Sequence, residues 1–171
     1  MRKARLFDLN DALQHPGRTV TLQVSTNLEE ETDLDLVEPV VGELSAVSTG
    51  QILVIEGTLH TTVVLECARC TEPVEVPLEF EVHEEFPVEG VAAGYGSGGT
   101  AYVKPGEDAV MFKGNSLRYE ELIRQDIWGW MPFTALCRPD CPGVEVPNAS
   151  PKGRPEFQIL SSLLEDQEER G

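Results

Sequence analysis

Four cysteines fall in two short pairs, Cys67-Ala-Arg-Cys70 and Cys137-Arg-Pro-Asp-Cys141, with 66 residues between them. A tetrahedral zinc ion takes four thiolates at about 2.3 Å, and two tight turns can each supply two of them. Cys67, Cys70, Cys137 and Cys141 are therefore the candidate ligands of one structural zinc that would join distant parts of the chain. Two other readings stay open. A redox-active CxxC opens a helix, whose N-terminus lowers the thiolate pKa, yet Cys70 is followed by Thr71-Glu-Pro73 and a strand-like run. Four small buried residues without metal form the third reading, since free cysteine is commonly buried.

No other catalytic constellation accompanies them. His15, His60 and His83 are scattered, and glutamates are too numerous for any two to mark an acid/base couple. The chain also lacks Gly-x-Ser-x-Gly and His-Glu-x-x-His. A non-enzymatic protein is expected.

Charge is the second strong signal. In 171 residues, 13 Lys and Arg stand against 30 Asp and Glu, a formal net charge of -17. Residues 1–24 carry a net +2, residues 25–90 a net -15 and residues 91–171 a net -4. Between 25 and 90, sixteen acids face Arg69 alone. Such a field opposes long stretches of phosphate and anionic membrane surfaces, and favours either plain solubility or a basic protein partner. No apolar run reaches the roughly 18 residues of a membrane-spanning helix. The basic start, Met1 to Asn10, meets acids before any stretch resembling a signal peptide, so a cytoplasmic protein is expected.

The elements that must hold these residues read as one α+β domain over 1–171. Thr19-Val-Thr-Leu-Gln-Val-Ser25 alternates as a half-buried strand does, Pro39 to Val47 is a weaker strand, and Ile52 to Glu56 and Leu59 to Glu66 flank Gly57 as a bulge or bend. In Val74-Glu-Val-Pro-Leu-Glu-Phe-Glu-Val82 the apolar residues share one face, with Glu75, Glu79 and Glu81 on the other beside Glu84 and Glu85. Pro77 marks an edge strand or a break. Short strands joined by turns give an antiparallel sheet or partly closed barrel. Gly90 to Gly106 reads as a mobile Gly-rich loop. A short N-terminal helix is expected from Leu6, Leu9 and Leu13. The main helix, near 117–131, has Ser116 as N-cap and Tyr119, Leu122, Ile123, Ile127 and Trp130 on its core face. Trp128 cannot share that face and either packs under a loop or anchors a partner. Phe157, Leu160, Leu163 and Leu164 mark a C-terminal helix.

Together these segments resemble the YceD family. The resemblance is carried by Val64-Leu-Glu-Cys-Ala-Arg-Cys70, by Glu79-Phe-Glu-Val-His-Glu-Glu-Phe86, by Tyr119 to Pro132 followed by Cys137 and Cys141-Pro-Gly143, and by Arg154 to Leu164. It implies a factor supporting accumulation of large-subunit (23S) ribosomal RNA. Joined to the charge, it makes a basic large-subunit ribosomal protein or a pre-50S particle the expected partner, with Glu75, Glu79, Glu81, Glu84, Glu85 and Trp128 as candidate contacts. Direct rRNA binding through Arg2, Lys3 and Arg5, or Arg118 and Arg124, is the alternative.

Overall fold

A computed structural model describes residues 5–28, 34–96, 98–106 and 108–144. The chain begins with a three-residue strand, β1 (Leu6–Asp8), and a single helical turn and a half, α1 (Asn10–Gln14). Leu6 therefore belongs to a strand, paired through Arg118, and only Leu9 and Leu13 of the expected set accompany the helix. Pro16 and Gly17, the latter at φ 88°, end it and turn the chain into β2 (Thr19–Thr26).

A meander follows. β2, β3 (Val40–Ser48), β4 (Ile52–Glu66), β5 (Pro73–Glu89) and β6 (Tyr102–Val103) pair in sequence order, each antiparallel to its neighbours. This sheet curls into an open half-barrel. The register between β4 and β5 is unbroken from Ile52↔Pro87 to Glu66↔Pro73. Gly57 thus marks no bulge. A Cβ there would lie 2.2 Å from the Glu43 carbonyl oxygen, and one on Gly42 would lie 2.3 Å from that of Thr58. The two glycines let the backbones of β3 and β4 approach closely there.

Alternation assigns the two faces. Val24, Val40, Leu44, Leu53, Ile55, Leu59, Phe80, Val82 and Phe86 point inward and are buried. They meet Phe7 of β1, Leu13 of α1, and Leu122, Ile123 and Ile127 of the main helix in one continuous core. That helix, α2, spans Tyr119–Trp130. Ser116 does not cap it. Ser116 instead lies in β8 (Ser116–Arg118), which pairs with β1 and with β7 (Phe112–Lys113) in a second, three-stranded sheet. Its backbone is held in that ladder three residues before Tyr119, and no side chain caps the helix.

Pro77 does sit at an edge. β6 covers β5 only at Val88 and Glu89, leaving the outer side of the remaining strand without a paired strand among the described residues. The stretch from Gly90 to Gly106 contains a 3-10 turn at Ala93–Tyr95 as well as β6, and Ala92 and Ala101 are buried. Gln14 ties it down: its amide nitrogen donates to the Ala101 carbonyl at 2.7 Å, and its oxygen accepts from the amides of Ala93 and Ala101. The expected C-terminal helix at Phe157 to Leu164 lies outside the described residues.

Candidate metal centre and acidic face

The tip of the long β4–β5 hairpin carries the first cysteine pair. Glu72 closes the turn by accepting the Cys67 amide at 2.8 Å, and Thr71 takes the left-handed φ of 63° as its amide reaches back to the Cys67 carbonyl. The segment after α2 runs to the same place. The Ala68 amide donates to the Ala135 carbonyl at 2.8 Å, and the Arg69 guanidinium donates to the carbonyls of Pro139 and Cys141. Arg69, the single base of the acidic third, thus fastens the second cysteine turn to the first.

All four sulfurs lie within 4.8 Å of one another. Cys67 Sγ is 3.9 Å from Cys141 Sγ, and Cys70 Sγ is 3.7 Å from Cys137 Sγ. Four sulfurs at about 2.3 Å from a tetrahedral zinc stand about 3.8 Å apart, whereas a disulfide requires about 2.05 Å. The spacing fits a tetrahedral metal and no disulfide. Electrostatics agree. The Cys70 amide, then those of Cys137 and Arg69, aim at the Cys67 sulfur and pull its pKa down to about 6. Cys137 is pushed up to about 12, first by its hydrogen bond with the Cys141 thiol and then by desolvation and the other thiols. At Cys70 the Glu72 amide favours the thiolate, but desolvation and the neighbouring thiols outweigh it and raise the pKa. Crowded thiols that oppose each other's ionisation are what a divalent cation relieves. Such an ion would supply the charge that lets all four cysteines serve as thiolates and would cross-link the hairpin tip to the chain leaving α2.

The competing readings fare differently. Cys67 and Cys70 open no helix, so no helix N-terminus activates this pair; the low Cys67 pKa comes from the amides of Cys70, Cys137 and Arg69 in the two cysteine turns themselves. Cys67 and Cys141 are buried, but Cys70 is half-buried and Cys137 exposed, which is not how four inert core residues are distributed.

The outer face of the sheet gathers carboxylates. Glu75, Glu79, Glu81 and Glu85 of β5 all point outward and are exposed. The register sets Glu81 beside Thr58, with Glu43 on the far side of Thr58, and Glu79 beside His60. A trough of about 500 Å³ crosses three strands here, lined by Glu43, Ser45, Glu56, Thr58, Glu81 and His83. His83 lies 3.1 Å from Glu56 and 3.7 Å from Glu85. Glu84 does not join this row. It has the parity of Val82 and Phe86 and faces inward, toward Asp126 of α2.

Both tryptophans are exposed, Trp128 at 51% and Trp130 at 52%. Trp130 is therefore not in the core; Leu122, Ile123 and Ile127 fill the inner face of α2, and the helix ends at Trp130 as it leaves that core. Among the described residues no loop buries Trp128, which borders a groove with Val110, Met111, Arg118 and Arg124. Of the basic candidates, Arg5 pairs with Glu120 and Arg124 with Glu121, whereas Arg118 is exposed and forms no ion pair among the described residues. Arg2 and Lys3 lie outside the described residues. Gln14 and Asp126, the two most informative polar residues of the interior, carried no signal in the sequence beyond their place in short helical patterns.

No helix of the described residues is long and apolar enough to cross a membrane. No solved structure matches the chain. An uncharacterized protein of Mycobacterium tuberculosis and one of Mycobacterium bovis are each 28% identical to it over 162 residues, covering 92% of this chain and 71% of the relative. An uncharacterized protein of Mycobacterium leprae is 26% identical over 145 residues, covering 81% of this chain and 63% of its own. Residues 55–169 match the family described as large ribosomal RNA subunit accumulation protein YceD, a span that holds both cysteine pairs, β5 and α2. On that match the chain belongs to the YceD family, whose name implies a role in accumulation of the large ribosomal subunit.

Proposed function

We propose that this chain is a non-enzymatic cytoplasmic factor that supports the large ribosomal subunit by capturing a basic large-subunit protein, free or on a pre-50S particle. The observation that carries the reading is the row of outward carboxylates on β5, continued by Glu43 and Glu56 across the trough. Opposite charge over such a face speeds encounter and selects a Lys- and Arg-rich partner. The same face repels phosphate, and of the described bases proposed for direct rRNA contact Arg5 and Arg124 are paired with glutamates. One structural zinc on Cys67, Cys70, Cys137 and Cys141 would fix the far end of the hairpin that presents the row.

The test is a salt series of association rates with a purified basic large-subunit protein. Glu75, Glu79, Glu81 and Glu85 replaced together by Gln should leave the fold intact, since exposed substitutions cost within about 0.5 kcal/mol. Association at low salt should slow by about tenfold, and its salt dependence should flatten. A variant that associates as fast as wild type overturns the reading. Tight binding to naked rRNA instead would replace it with direct RNA recognition.

A further inference from the structure

The backbone of β5 adds something that its charges alone do not. In an antiparallel ladder, residues alternate between pointing their N–H and C=O toward one neighbour and toward the other. The Thr62 carbonyl accepts the Val37 amide at 2.9 Å and so points away from β5. Pro77, directly opposite Thr62, must therefore aim its own backbone away from β4. The unbroken register carries this parity along the strand: Glu79, Glu81, His83 and Glu85 also point their N–H and C=O outward. At the far end the Pro87 carbonyl accepts the Lys104 amide at 2.8 Å, and β6 pairs at Val88 and Glu89. Between Pro77 and Pro87 the outward groups of these four residues have no hydrogen-bond partner among the described residues.

We propose that this edge, unpaired from Glu79 to Glu85 among the described residues, takes an extended basic segment of the partner as an added β-strand. The inference rests on the acidic-face reading and names the mode of docking within it. Strand addition uses main-chain hydrogen bonds for affinity and alternate side chains for specificity. Residues of the added strand opposite Glu79, Glu81 and Glu85 would lie on the outer face beside those carboxylates, where Lys or Arg forms favourable cross-strand pairs. The intervening residues would lie on the inner side, beside Phe80 and Val82 and, at one end, Glu84. The segment is thus about seven residues long, alternating basic with apolar. Pro73, Pro77 and Pro87 share the outward parity, offer no N–H there, and so limit the added strand to this window. A second copy of the chain is disfavoured, because an antiparallel pairing of two β5 edges would set glutamate against glutamate.

The test uses the full chain and a capped heptapeptide alternating Lys and Val, with Lys at both ends. Amide hydrogen exchange is followed residue by residue, with and without saturating peptide at low salt. Exchange at Glu79, Glu81, His83 and Glu85 should slow by about tenfold or more, while Phe80, Val82 and Glu84, already in the β4 ladder, stay unchanged. His83→Pro removes one outward amide and no acidic charge, at a parity where this strand already tolerates proline. It should weaken peptide binding about tenfold, and His83→Ala should not. Peptide binding without protection of the four amides overturns strand addition and leaves the acidic-face reading standing. Absence of any salt-dependent binding overturns both. Protection that rises with protein concentration before peptide is added would give the edge to a second copy, and displacement of the peptide by an equal concentration of pyrimidine RNA would give it to RNA; either result overturns the proposal.

Discussion

Asp126 on α2 lies within electrostatic range of Glu84 on the inner side of β5, and one of its carboxylate oxygens is buried without a hydrogen-bond partner among the described residues. Burial first, and the Glu84 charge second, raise its pKa from 3.8 to about 6. A folded-state pKa above the unfolded value means that the folded chain binds the proton more tightly. This contribution to stability is complete below the unfolded pKa and is lost as pH rises through about 6. Asp126→Asn, which keeps the shape and removes the charge, should stabilise the protein at pH 7 by about 1 kcal/mol after allowance for partial exposure. Denaturant unfolding at pH 3 and pH 7 checks it; the gain should be present at the higher pH and nearly vanish at the lower, below the unfolded pKa of 3.8.

The cysteine geometry predicts about one zinc per chain in protein purified without chelator. Cys67→Ser removes the thiolate that three amides support, and should both release the metal and lower the thermal midpoint. Metal analysis alongside thermal unfolding distinguishes the outcomes. Metal-free wild-type protein whose midpoint is indifferent to Cys67→Ser would remove zinc from the account.

Much of this was legible in the residues, and the failures have physical causes. Period-2 alternation marks β2 and the first half of β5, because one face of each is buried, while apolar and β-branched runs mark β3 and β4. The two cysteine pairs announced their meeting by type and spacing, although only the fold could bring them within 4.8 Å. Glu84 was misplaced by grouping it with its sequence neighbours; strict parity sets it with Val82 and Phe86. Gly57 resembles a bulge locally, since nothing in the sequence shows that Glu43 on a neighbouring strand presses against it. Ser116 has the chemistry of a helix cap, but pairing with Asp8, more than a hundred residues earlier, claims it for a strand. Trp130 keeps the helical period of the core face yet stands where α2 has already run past the sheet.

Gln14 makes the most exacting prediction about the Gly-rich stretch. It is buried at 7% exposure, and its side chain meets three backbone groups across 79 to 87 residues of sequence separation: the amides of Ala93 and Ala101 and the carbonyl of Ala101. Asn115 supports the same carbonyl from the other side at 3.2 Å. Replacing Gln14 by Ala would leave the two amides without the acceptor they share, at a cost of about 1–3 kcal/mol. Gln14→Glu keeps the acceptor but loses the donor and buries a charge, so it should be no milder. The effect should be local as well as global, because little else in a run of Gly, Ala and Ser can fix its backbone. Limited proteolysis with a protease of broad specificity should cut between Gly90 and Gly106 faster in Gln14→Ala than in wild type, by more than the change in global stability accounts for. Equal cutting rates at matched stability would show that the stretch is held by other contacts.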